Sequence, residues 1–185
     1  MLGIKKLIGK CQKGDNRSQE KLYKHFYGYA KSITLRYAQN NEDASELVND
    51  AFYSAFNHLD QYDHARDFKS WFRKIVVNKC IDKYKKRLPL ITSDLEAAEE
   101  VVDIDHILNR LQAEELLQLL QELPHNLRIT FNLYEIEGYS HKEIAQELEV
   151  SASTSRANLT RAKMKLRKQL EKTERHDQQL ARYTH

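Results

Sequence analysis

The sequence predicts an all-α protein of two small helical domains joined by a flexible acidic linker. Three observations carry this. Five Gly and two Pro among 185 residues are too few for a turn-rich β architecture. The apolar residues, 41% of the chain, recur at spacings of three and four, which is helical periodicity. That periodicity fails over one long stretch, 88–105, where "LPLITSDLEAAEEVVDID" is acidic and poorly patterned.

The elements follow in order. In "SQEKLYKHFYGYAKSITLRYA", Leu22, Phe26, Tyr29, Ile33 and Tyr37 make one apolar stripe, with Ser18 as the expected N-cap. "NEDASELVNDAFYSAFNHL" places Ala44, Leu47, Val48, Ala51, Phe52, Ala55, Phe56 and Leu59 on one face and most of its acids on the other. "QYDHARD" breaks the pattern. A third helix starts at Asp67, "DFKSWFRKIVVNKCIDKYKKR", where Phe68, Phe72, Ile75 and Val76 can bury and Cys80, Ile81 and Tyr84 continue inward. Pro89 ends it, because proline disfavours helical geometry in the residue before it. A second unit is expected from His106, with one helix stopping before Pro124 and another ending at Gly138 as C′ residue. Residues 1–87 are thus expected as the first domain, 88–105 as the linker, 106–171 as the second domain and 172–185 as a frayed polar tail.

The net charge of +3 hides strong segregation. Residues 41–60 hold five acids and no Lys or Arg, and 62–87 hold nine Lys/Arg against three acids. Residues 88–122 are acidic again, and 151–172 carry seven Lys/Arg against one acid. Each block alone reads equally well as a solvated helix face. Two basic blocks between acidic ones suggest contact with nucleic acid in two places. No stretch has the roughly 18 apolar residues of a membrane span, and the N-terminus lacks the apolar core of a secretory signal. Cys11 and Cys80 lie far apart outside any CxxC pair, pointing to a reducing cytoplasm and no structural zinc. The eight His occur singly, and neither a nucleophile elbow nor a phosphate-cradling Gly loop is present. No metal, cofactor, small-molecule substrate or enzymatic activity is expected.

The second basic block belongs to a helix-turn-helix. Ser140 and Glu143 form an S-x-x-E capping box, and Ile144, Ala145 and Leu148 make a buried face. After "EVS", Ser151 is the expected N-cap of a second helix, whose Leu159, Ala162 and Leu166 face inward. Ser153, Arg156, Ala157, Thr160, Arg161 and Met164 share the other side. Short side chains there admit a helix to the major groove, and Arg can pair with guanine edges or phosphates. A basic amphipathic helix that merely packs and stays wet is the bland alternative. In the first basic block Lys79, Lys83 and Lys86 form a phosphate track beside a stripe of Trp71, Lys74 and Asn78, with Trp71 favoured as core. An amide and an aromatic next to the loop "QYDHARD" can hold an unstacked base.

"EGYSHKEIAQELEVSASTSRANLTRAKMKLRKQL" resembles region four of bacterial sigma factors, especially the extracytoplasmic-function (ECF) subfamily. The pattern is E-G-x-S-x-x-E-I-A, a turn, S-x-x-T, and a recognition helix ending R-A-x-x-x-L. Glu149 stands where the family usually has a turn Gly, Ser155 where it often has Val, and Asn158 where it often has Arg. Glu149 then needs a positive φ or a different turn, and Asn158 changes the expected base preference. Upstream, E-D-A-x-x-L-V, F-x-x-W and I-D-x-Y-K-K resemble region two of the same subfamily, in the family's order.

The resemblance implies a sigma factor that binds core RNA polymerase, through its clamp helices and flap, and directs promoter-specific initiation. It implies that Asp43, Glu46, Leu47, Asn49 and Asp50 meet the polymerase. Asp63, His64 and Arg66 of the loop, with Trp71, Lys74, Asn78, Lys79 and Lys83, would take the melted non-template minus-ten bases and phosphates. Ser153, Arg156, Ala157, Asn158, Thr160 and Arg161 would read duplex DNA at the minus-thirty-five element. A separate anti-sigma factor would supply control, and the location would be cytoplasmic without membrane insertion. A stand-alone helix-turn-helix regulator that binds duplex DNA without polymerase is the rival reading, and an interaction protein using only the acidic faces a further one.

Overall fold

The computed structural model describes residues 2–87 and 113–183, with side chains described for 3–87 and 114–172. Every regular element among them is helical. The chain divides into two units, Met1–Pro89 and Leu90–His185. The expected linker over 88–105 and the helix start at His106 lie outside the described residues.

The first unit opens with a helix that periodicity did not single out, α1, Leu2–Cys11, which buries Ile8 and Cys11. A turn through Gly14, at φ +79°, leads to α2, Asn16–Thr34. Its N-cap is Asp15 and not Ser18: the Asp15 carboxylate accepts from the Ser18 backbone N–H and hydroxyl. Ser18 is itself buried inside the first turn, so the cap falls on the acid three residues earlier. The stripe Leu22, Phe26, Ile33 and Tyr37 is buried as its spacing predicts, joined by Ala30, with Tyr29 half-buried.

Helix α3, Asn41–Asn57, is capped by Asn40, whose side chain accepts from the Asp43 N–H. It buries Ala44, Leu47, Val48, Ala51, Phe52 and Ala55. The buried Thr34 hydroxyl donates to the Ala44 carbonyl, fixing the α2–α3 joint. A 3₁₀ turn, Leu59–Gln61, follows, and then α4, Phe68–Arg87. Asp67 begins α4, its carboxylate accepting from the Ser70 N–H and hydroxyl. The core is strongly aromatic: Phe26 meets Phe68 at 5.0 Å between centroids, Phe52 meets Phe72 at 4.6 Å, and Phe68 stacks on Phe72 at 5.8 Å. Such pairs contribute about 0.5–1.5 kcal/mol each beyond their burial.

The second unit contains α5, Ala113–Gln121, and α6, His125–Phe131. Helix α6 does not run evenly to Gly138. It widens into a π turn over Asn132–Ile136, where the Glu137 N–H bonds to the Asn132 carbonyl, five residues back. Gly138, at φ +76°, then turns the chain into α7, His141–Leu148. The last helix, α8, runs from Ala152 to Tyr183, so helical geometry extends into the polar tail. Leu120, Leu123, Leu127, Phe131, Leu159, Ala162 and Leu166 form one apolar core.

Candidate nucleic-acid interface

The second unit carries the helix-turn-helix, α7 and α8. The capping box is complete: the Ser140 hydroxyl accepts from the Glu143 N–H, and the Glu143 carboxylate accepts from the Ser140 N–H. The Ser140 hydroxyl also donates to that carboxylate at 2.7 Å, and this bond, then the one from the Ser140 N–H, holds the Glu143 carboxyl below the usual range. Glu149 ends α7 at φ 56°, ψ 41°, the left-handed geometry normally left to glycine. A non-glycine residue there costs roughly 1–2 kcal/mol. Ser151 starts α8, its hydroxyl accepting from the Thr154 N–H.

The exposed side of α8 differs from the predicted stripe. Ser153 and Arg156 are exposed, and Thr160 and Arg161 are half-exposed. Ala157 and Asn158 are 6% and 7% exposed, so both belong to the interior. The correction has a geometric cause. Leu159, Ala162 and Leu166 face the unit's core, while the first turns of α8 also pack on α7, so a second buried stripe forms. The open side of α8 thus reduces to Ser153, Arg156, Thr160 and Arg161, with Met164 exposed below it. Lys163 is not available there: its ammonium lies 2.8 Å from Glu135 of the π turn.

One cluster here escaped sequence reasoning. The His141 ring, first in α7, stacks on Tyr134 at 4.4 Å and 21°. Its Nδ1 lies 2.9 Å from the hydroxyl of Ser155, which is fully buried in α8. Burial, and then the Arg156 charge, push the His141 pKa below its ordinary value against the pull of Glu135. The one signal in the sequence was Ser155 itself, a polar residue where the resembling family often has Val.

In the first unit the loop before α4 is ordered by its own side chains. The buried Tyr62 donates its hydroxyl to the Arg66 carbonyl at 2.6 Å, and Asp63 accepts from the Ala65 N–H at 2.9 Å. His64 sits 3.2 Å from the Gln12 side chain of the α1–α2 turn. Asp63, His64 and Arg66 are all exposed. Trp71 is half-buried against Tyr62 and Phe68, at 5.3 and 5.5 Å, between core and open surface. Lys74 and Asn78 are exposed one and two turns further along α4.

Lys83 does not join that track. Its ammonium lies 2.5 Å from Asp43 and 2.8 Å from Glu46, and Arg87 reaches Asp43 as well. Asp43, 6% exposed, sits under these cations and is not an open docking acid. Burial alone would raise its pKa, but hydrogen bonds from Lys83, the Gln39 N–H and Arg87 outweigh that and hold it at about 2. Leu47 is core. Of the acidic set on α3, Glu46, Asn49 and Asp50 remain on the open side, with Tyr53 beside them at 73% exposure. Lys79 lies 3.8 Å from Asp82, a loose contact in solvent. Among the described residues there is no cluster that could hold a metal ion, and no helix long and apolar enough to cross a membrane.

A family model described as Sigma-70 region 2 matches residues 22–88, and one described as Sigma-70, region 4 matches 113–166. The ECF RNA polymerase sigma-E factor of Escherichia coli (strain K12) is 28% identical over 172 residues, covering 85% of this chain and 88% of that protein. The ECF RNA polymerase sigma factor SigW of Bacillus subtilis (strain 168) is 26% identical over 180 residues, 90% of this chain and 96% of that one. The chain belongs to the sigma-70 family, in its ECF group. Among solved structures, the sigma factor RpoE of Bartonella quintana, in complex with the anti-sigma factor NepR, is similar in fold. Its TM-score is 0.50 at 16% identity over 82% of this chain and 96% of that chain. This sigma factor is therefore a DNA-binding protein of transcription initiation, and its two matched regions fall one in each helical unit.

Proposed function

We propose that this sigma factor binds core RNA polymerase in the cytoplasm and directs it to promoters with two separate grips. The observation that carries the reading is an exposed polar and basic face in each of the two matched regions. Residues 1–87 act as region two. Glu46, Asn49 and Asp50 face the polymerase clamp helices, while Asp63, His64, Arg66, Lys74 and Asn78 take melted minus-ten bases beside the half-buried Trp71. Lys79 adds a phosphate contact. Residues 106–171 act as region four, whose Ser153, Arg156, Thr160 and Arg161 read the minus-thirty-five duplex. Residues 88–105 set the span between the grips, and 172–185 lie beyond the reading unit.

Opening needs no bond chemistry from this chain, so it is not an enzyme. Extruding a base costs a few kcal/mol, and pocketing it against an aromatic and an amide offsets a comparable amount. Control by an anti-sigma factor is part of the same reading, supported by the RpoE–NepR complex of the structural neighbour. The test is reconstitution of purified chain with sigma-free core polymerase, scored for promoter-specific transcript. Absence of both transcript and complex overturns the proposal. Tight duplex binding that ignores polymerase would restore the stand-alone regulator.

A further inference from the structure

We infer that DNA binding by α8 is linked to proton uptake on His141, a positioning residue that Ser155 and Tyr134 hold beside the reading face. The inference rests on the reading of α8 as the duplex-binding helix.

The geometry has three parts. Tyr134, 37% exposed, stacks on the His141 ring and fixes its plane. The fully buried Ser155 hydroxyl fixes its rotation through Nδ1 at 2.9 Å. Ser155 also neighbours Arg156 in sequence, so the bond places the His141 ring close to that cation. A hydroxyl can donate to a neutral Nδ1 or accept from a protonated one. The His141–Ser155 bond therefore survives a change of charge, which a valine at 155 could not arrange. His141 Nε2 makes no hydrogen bond among the described residues.

The charges around the ring set the direction of the linkage. From α8, Arg156 opposes a second positive charge, while Lys163 is engaged by Glu135. From the π turn, Glu135 favours the imidazolium but shares its charge with Lys163. On α7, Glu143 is committed to the capping box, and Lys142 adds one more cation. In free protein burial and then Arg156 hold the ring's pKa below its ordinary value, against Glu135. Duplex DNA brings phosphates to Arg156, cancelling its repulsion and adding an anionic field over roughly a Debye length of 8–10 Å. The imidazolium is then favoured in the complex. By linkage, a group whose pKa rises on binding makes binding tighter as pH falls, up to about tenfold per unit between the free and bound values.

The experiment titrates the full chain with a short mixed-sequence duplex at low salt, followed by fluorescence anisotropy, from about pH 8 to about pH 5.5. His141→Gln is run in parallel. Wild type should tighten more steeply with acid than His141→Gln, and the two should converge at high pH. Equal slopes overturn the linkage. Absence of duplex binding at every pH overturns the linkage together with the reading of α8, so the two failures are distinguishable. Should the variant misfold, NMR titration of the wild-type His141 ring decides. Its pKa must rise when duplex is added, and an unchanged value overturns the inference.

Discussion

Arg87 and Asp43, forty-four positions apart, meet in a two-pronged pair: Nη1 donates to Oδ2 at 3.1 Å and Nη2 to Oδ1 at 2.7 Å. The last residue of α4 is thereby tied to the first turn of α3. Lys83 joins from one turn earlier, so a single carboxylate closes the end of the first unit.

Asp43→Asn should destabilise that unit by about 2 kcal/mol, the value of a carboxyl held at about 2 instead of 3.8. The folded value is the depressed one. The contribution is therefore fully present above the unfolded pKa and is lost as pH falls from about 4 toward about 2. Denaturant unfolding of both proteins across that window should show wild type losing stability faster than the variant. Parallel curves would remove Asp43 from the account of acid sensitivity.

Glu149→Gly should stabilise the helix-turn-helix by about 0.5–1 kcal/mol. Glycine enters the left-handed region without the Cβ penalty, and greater unfolded-state freedom returns part of the gain. Chemical denaturation measures it directly, and a clear loss of stability would mean that the Glu149 side chain outweighs its backbone.

Arg156→Ala and Asn158→Ala should separate cleanly. The exposed Arg156 should weaken duplex binding and reduce the salt slope by about one, as loss of one phosphate contact does. The 7%-exposed Asn158 should lower stability while leaving base preference and salt slope unchanged. A changed base preference for Asn158→Ala in a selection from random duplexes would return that residue to the reading face.

Asn78→Ala should slow promoter opening or relax minus-ten selectivity while complex formation with core polymerase stays intact. Permanganate footprinting and gel filtration with core report the two separately. Loss of core binding would show that α4 and α3 do not divide the work as described.

The fold was legible because its helices are amphipathic at a period the eye can count: Leu22, Phe26 and Ile33, or Leu159, Ala162 and Leu166, announce their faces. The capping box at Ser140 was equally plain, because its partners sit three residues apart. What stayed hidden depends on distance along the chain. Asp43 and Lys83 each read as exposed charges on their own helices, and only the packing of α3 on α4 turns them inward together. Asn158 looked like a groove residue because the resembling family often has Arg there, whereas here α8 packs on α5, α6 and α7 and the amide is buried. Short α1 escaped because ten residues give too few turns for a stripe to stand out.

The π turn at Asn132–Ile136 behaves as a single inserted residue that was never closed up. Each residue turns an α-helix by about 100°, so the widened loop re-aims everything after it. Tyr134 thereby comes to lie against His141, and Glu135 against Lys163. Related chains that lack the extra residue would present a different pair of side chains to the helix-turn-helix. Insertions and deletions at this spot, more than substitutions, are then the changes by which such proteins could alter how the reading helix is braced.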